Sequence, residues 1–207
     1  MMKPVNYSVY VVTDDASAYK TNLLNNVEQA VQAGAGIVQY RPVSGNKQFW
    51  YKEALKLKDL LAQYNVPLII NDYVDLALAV DADGVHVGQS DLPVEVCRKL
   101  IGSGKLLGLS ITDLPQLEKT PFELIDYIGV GPIFHTDTKS DAAPEMGLHG
   151  LKTACEKSPV PVVAIGGISL KNAASVFENG AVGIAIVSAI SRVSSPADSV
   201  QAFLRMK

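Results

Sequence analysis

Residues 127–141 read YIGVGPIFHTDTKSD, and the two halves of this stretch have opposite chemistry. The first half is an apolar run broken by glycines, with no charge before Asp137, which describes a strand covered on both faces. The second half supplies hydroxyls and one cation: Thr136, Thr138 and Lys139. Hydroxyl and ammonium donors just past the end of a strand suit an oxyanion such as a phosphate. A solvated turn has the same composition, so the loop alone decides little. What counts is that nearly every other strand in the chain ends in the same polar way.

Working outward, seven more short apolar runs alternate with helical patterns. Residues 8–14 (SVYVVTD), 37–41 (IVQYR), 67–72 (PLIIND), 84–88 (GVHVG) and 106–111 come before the opening stretch. Residues 161–167 (PVVAIGG) and 183–188 (GIAIVS) come after it. Periodicity, proline starts and glycine stops predict helices over 23–34, 49–65, 74–82, 93–102, 114–124, 148–157, 170–180 and 196–206. Continuous rather than alternating apolar runs indicate a parallel sheet with both faces covered. Eight such units in 207 residues fit one domain, 1–207, folded as a (β/α)₈ TIM barrel. An open doubly wound sheet is the runner-up, and it lacks the GxGxxG turn after its first strand.

Composition narrows the partners. Hydrophobic residues at 48% and charged residues at 19% exclude disorder, and a net charge of −3 gives no reason to expect nucleic acid or an anionic membrane. An anion site must then be built from local donors. Cys97 and Cys155 lack metal or redox spacing and read as reduced structural thiols. No run approaches a membrane span and the first residues show no signal-peptide pattern, so the expected location is cytoplasmic.

In a barrel of this kind all strand C-termini converge on one mouth. Here that mouth collects Gln39, Arg41, Asn71, Asp72, Asp91, Ser110, the 136–139 loop, Gly166, Gly167, Val187 and Ser188, while the opposite ends offer mainly Gly, Pro and Val. Gly166 and Gly167 let backbone N–H groups approach an oxyanion, and a helix starting at Ser188 could aim its N-terminus at one; a tight turn explains the glycines equally. Asp72 and Asp91 follow neighbouring strands and suit Mg²⁺, which typically takes one or two carboxylates plus substrate phosphates. Each could instead cap the helix that follows it. Of the histidines, His86 reads as a packed, hydrogen-bonded core residue, His135 as within reach of a substrate, and His149 as exposed.

The blocks VQYR (38–41), IINDYVDLALAVDADGVHVGQSDLP (69–93), GLS (108–110), DYIGVGPIFHTDTK (126–139), PVVAIGGI (161–168) and IVSAI (186–190) together resemble the thiamine-phosphate synthase family, over nearly the whole chain. The thiazole tautomerases are near relatives that share the barrel and phosphate loops. The resemblance implies a transferase of thiamine biosynthesis. It would couple 4-amino-5-hydroxymethyl-2-methylpyrimidine diphosphate to a thiazole phosphate, with diphosphate leaving first to give a pyrimidine cation.

The resemblance also implies roles. Asp72 and Asp91 would hold Mg²⁺. Arg41, Asn71 and Lys139 would contact the diphosphate, and Gln39 and Ser110 the pyrimidine. Thr136, Thr138, Gly167, Val187 and Ser188 would cradle the thiazole phosphate. Gly147 would sit at the rim, after a 140–146 loop that closes over the reactants. Arg41, Lys139 and Ser110 would carry the catalysis.

One departure stands out. The family pattern Q-x-R-x-K is here Gln39-Tyr40-Arg41-Pro42-Val43, so the second cation of the diphosphate clamp is missing. Lys47 is a candidate substitute. Losing one charge-assisted contact costs roughly 1.5–3 kcal/mol, about one to two decades in rate or affinity. Two other readings follow from it: a metal-free tautomerase-like isomerase with His135 as acid or base, and a non-catalytic thiazole- or thiamine-phosphate-binding paralogue. The residues carry no signal for oligomeric state.

Overall fold

Each apolar run pairs in parallel with the next one in sequence, and the last closes on the first. In the computed structural model, which describes residues 4–19, 21–136 and 143–207, strands β1 (Val9–Val12), β2 (Ile37–Tyr40), β3 (Leu68–Asn71), β4 (Gly84–Val87), β5 (Leu106–Ile111), β6 (Tyr127–Val130), β7 (Val162–Ile165) and β8 (Gly183–Ile186) form one closed barrel. Closure is made by β1 against β8, where Val11 pairs with Ile186. The (β/α)₈ TIM barrel expected from the sequence is the fold observed.

Helices α1 (Leu23–Gln32), α2 (Lys47–Tyr64), α3 (Val74–Ala79), α4 (Val94–Ile101), α5 (Leu114–Glu118), α6 (Gly147–Lys157), α7 (Ala173–Glu178), α8 (Ser188–Ser191) and α9 (Pro196–Leu204) alternate with the strands. Side chains with a carbonyl, carboxylate or hydroxyl oxygen fix several starts. Asn22 accepts from the Asn25 N–H, Asn46 from Phe49, Asp113 from Gln116 and Ser195 from Asp198. Among the described residues, no helix is long and apolar enough to cross a membrane.

Three helices fall well short of the span their periodicity suggests, each for a local reason. The pattern over 114–124 splits into α5 and a 3₁₀ turn, Phe122–Leu124, because Pro121 has no N–H with which to continue the ladder. The helix expected over 74–82 stops at Ala79, and Asp81 turns the chain with a left-handed φ of 51°. The helix expected from 170 begins only at Ala173, since Asn172 first ties down the preceding turn by accepting from the Ser169 N–H.

Strand parity sorts the core into two shells. Val9, Val11, Val38, Leu68, Ile70, Leu107 and Ile128 point outward and pack under the helices. Tyr10, Val12, Ile37, Ile69, Leu106, Tyr127, Val163 and Ala185 point inward and fill the barrel. Residues sharing that inward parity toward the C-terminal ends are Gln39, Asn71, His86 and Ser110, so the interior turns from apolar to polar on approaching the mouth. Gly108 makes room there: a Cβ at this position would fall within contact distance of both the His86 ring and the Tyr127 ring.

Candidate active site

The mouth is an open cavity of about 870 Å³ lined from all eight strands or the loops that follow them. The structure brings Gln39, Arg41, Asn71, Asp72, Asp91, Ser110, Thr136, Gly167, Val187 and Ser188 to this one cavity. Thr138 and Lys139 lie outside the described residues. Gly147 opens α6 at φ 69°, with its N–H on the Ile133 carbonyl at 3.2 Å, and is not part of the lining.

The two aspartates arrive by different routes. Asp72 follows β3 with a left-handed φ of 62°, and its N–H donates to the His86 carbonyl at 2.8 Å. Such a φ is uncommon outside glycine, and Asp and Asn are the residues that tolerate it best. Asp91 does not cap α4, whose N-cap residue is Pro93 and which has no side-chain cap. Its Oδ2 accepts from the Gly88 N–H at 2.7 Å and closes the loop after β4. Among the described residues no cluster of three acidic, histidine or cysteine donors forms. Two carboxylates with the remaining positions left to water and a ligand phosphate is a donor set that fits Mg²⁺.

Among the described residues, Arg41 is the one arginine or lysine that lines the same cavity. Its N–H donates to Thr13 Oγ1 at 2.9 Å, and its guanidinium Nη2 lies 3.7 Å from Asp14 Oδ1. Its Nε is buried with no hydrogen-bond partner among the described residues. A buried donor left unsatisfied costs about 1–3 kcal/mol, which an anionic ligand at the mouth would relieve. Asp14 also accepts from Ser191 Oγ at 3.0 Å, tying the arginine's counterion to the end of α8.

Val43 lines the cavity and is 54% exposed where the family pattern has lysine. Lys47 faces elsewhere: its ammonium is bonded to the Asp75 carboxylate at the start of α3 and stands 6.0 Å from the Tyr73 ring centroid, outside the lining. The other side of the mouth is backbone. Gly166 and Gly167 have φ of 94° and 65°, and a Cβ at Gly167 would overlap the His135 carbonyl and Phe134. The Ile133 and Phe134 N–H groups donate to the Ile165 and Gly166 carbonyls, at 2.9 and 3.1 Å, clamping the β6 loop against the β7 turn.

The sequence reading missed a buried polar chain. Gln39 Nε2 donates to the Tyr10 hydroxyl at 2.8 Å, Tyr10 and Tyr127 share a bond at 2.7 Å, Tyr127 meets His86 Nδ1 at 3.0 Å, and His86 Nε2 meets Ser110 Oγ at 2.9 Å. His86 is the hydrogen-bonded core residue expected, yet it also lines the cavity. Burial pushes its pKa down to about 4, against the opposing pull of the Asp91 charge. Burial likewise pushes both tyrosines far above the ordinary phenol range. Inward parity at residues 10, 39, 86, 110 and 127 was the signal that could have revealed the chain. His135, the acid or base of the isomerase reading, is exposed 3.7 Å from Glu145 and does not line the cavity.

A closed parallel barrel with its polar side chains gathered at the C-terminal mouth is the arrangement of a (β/α)₈ enzyme. The family model described as thiamine monophosphate synthase matches residues 9–190. The chain belongs to that family. It is 49% identical over 186 residues to the thiamine-phosphate synthase of Chloroflexus aurantiacus, covering 90% of this chain and 86% of the relative. It is 45% identical to that of Alkaliphilus oremlandii, covering 97% of each. Among solved structures, a thiamine phosphate pyrophosphorylase from Pyrococcus furiosus superposes with a TM-score of 0.87 at 32% identity, covering 97% of this chain and 95% of the other.

Proposed function

We propose that this chain is a magnesium-dependent thiamine-phosphate synthase, joining the 4-aminopyrimidine diphosphate to thiazole phosphate and releasing diphosphate. The observation that carries the reading is that Asp72, Asp91 and Arg41 share one cavity with Gly167 and Ser188. That is an ion-and-anion clamp facing a second anion cradle. The names of the relatives support the same activity.

Asp72 and Asp91 would hold the ion. When bound, Mg²⁺ supplies Lewis-acid neutralisation of the charge that collects on the departing diphosphate. Arg41 and Asn71 would bind that diphosphate, more tightly as its charge grows, which is where binding energy accelerates the step. Gln39 and Ser110 would fix the pyrimidine ring. The N–H groups around Gly167 and Ser188 would orient the thiazole phosphate, so that the ring nitrogen captures the pyrimidine cation before water does.

The test is turnover of both substrates with Mg²⁺, following thiamine phosphate and diphosphate with and without chelator. Chelator-sensitive coupling supports the synthase. Thiazole isomerisation indifferent to chelator, or tight binding of both ligands without turnover, overturns it.

A further inference from the structure

The chain of hydrogen bonds from Gln39 to Ser110 begins and ends in the cavity and passes through its floor, and its bonds cannot be oriented independently. With Gln39 Nε2 donating to Tyr10, the only remaining partner for the Tyr10 proton among the described residues is the Tyr127 oxygen. The Tyr127 proton then goes to His86 Nδ1, which fixes the neutral imidazole with its proton on Nε2. That proton is donated to Ser110 Oγ, leaving the Ser110 hydroxyl to donate into the cavity. At the other end, Gln39 Oε1 is left as an acceptor. If the amide were turned over, all four bonds would reverse together, and the two ends would exchange roles.

We infer that this relay sets the hydrogen-bond polarity of the ring subsite, presenting an acceptor at Gln39 and a donor at Ser110, and so selects a ring with an exocyclic amine beside an unprotonated ring nitrogen over its oxo counterpart. An oxo ring offers the opposite pattern, a carbonyl acceptor beside a ring N–H. It would set a carbonyl against the buried Gln39 Oε1 and force the Ser110 hydroxyl to turn its proton away from the ring, and an unpaired buried acceptor is the situation in which hydrogen-bonding sites discriminate most strongly. Tyr10, Tyr127 and His86 act as positioning residues. The relay is buried from Gln39 to His86, with Tyr127 fully covered, Tyr10 2% exposed and His86 7%, and only Ser110 at its mouth end is partly exposed, so water has little access to its inner bonds with which to break the correlation. This inference rests on the pyrimidine reading of Gln39 and Ser110 proposed above.

Two measurements test it. Nitrogen-15 NMR of the ligand-free protein with labelled histidine should show His86 as the Nε2–H tautomer; the Nδ1–H tautomer overturns the inference whether or not the protein is a synthase. Next, kcat/KM is compared for the aminopyrimidine diphosphate and its oxo analogue, or the two affinities by calorimetry if turnover is absent. Wild type should favour the amino form. Tyr127→Phe should reduce that preference about 10-fold or more while leaving the KM for thiazole phosphate near wild type. Tyr10→Phe, which cuts the relay one bond nearer Gln39, should do the same and serves if the first variant fails to fold. Equal losses for both rings in the folded variants overturn the inference. A wild-type protein that binds the amino ring selectively but makes no product contradicts the synthase reading and leaves the relay standing.

Discussion

Tyr10 and Tyr127 meet hydroxyl to hydroxyl at 2.7 Å although their strands, β1 and β6, are not neighbours in the barrel. The contact therefore runs through the interior, and it depends on the empty space over Gly108. Gly108→Ala would press a methyl group into both the Tyr127 and His86 rings. We expect it to destabilise the fold by about 1–3 kcal/mol, the usual cost of overpacking, read by chemical denaturation. A variant as stable as wild type would show that the aromatic layer has slack.

Asp72→Asn and Asp91→Asn should separate charge from shape. Asn tolerates the left-handed φ of Asp72, so the backbone after β3 is kept. Each variant should keep its circular dichroism spectrum, lose about two decades or more of activity, and need more Mg²⁺ for half-maximal rate. Unchanged Mg²⁺ dependence in either would remove that aspartate from the ion's coordination.

Val43 gives the opposite kind of test. It lines the cavity and is half exposed, so Val43→Lys adds an ammonium without displacing packed atoms. The affinity for the diphosphate substrate should rise by about one to two decades, seen as a lower KM. Lys47→Ala should leave that KM near wild type, because Lys47 is engaged with Asp75. If Lys47→Ala raises KM and Val43→Lys does nothing, Lys47 is the working second cation.

His86 should leave a mark on the acid limb of stability. Its folded pKa of about 4 lies below the ordinary 6.5. Between those values the unfolded chain binds the proton and the folded chain does not, so folding is favoured less as pH falls. The loss starts near pH 6.5 and is complete near pH 4, on the order of 3 kcal/mol. Denaturation in chelator at several pH values should show a steeper fall for wild type than for His86→Gln; parallel curves would contradict this.

What could be read in the chain beforehand follows from which signals are local. The strands announce themselves as apolar runs, and the mouth as the polar residues ending them, so Asp72 and Asp91 were paired from their places after adjacent runs. Helix ends were less legible, because Pro121 and the turn at 168–172 act through single backbone groups. The relay was hidden for a different reason. Tyr10, Gln39, His86, Ser110 and Tyr127 lie on five strands, and only barrel closure brings their inward-facing side chains together. Arg41's buried Nε was likewise invisible, since an unsatisfied donor is a property of packing and not of composition.

The central claim is that one mouth holds a divalent ion against a diphosphate. A crystal structure of the protein soaked with Mg²⁺ and inorganic diphosphate tests it most directly. The account predicts the ion coordinated by the carboxylates of Asp72 and Asp91 and by diphosphate oxygens, with Arg41 bonded to the same diphosphate. Diphosphate bound at the mouth with neither aspartate on the ion, or bound elsewhere on the barrel, would contradict it.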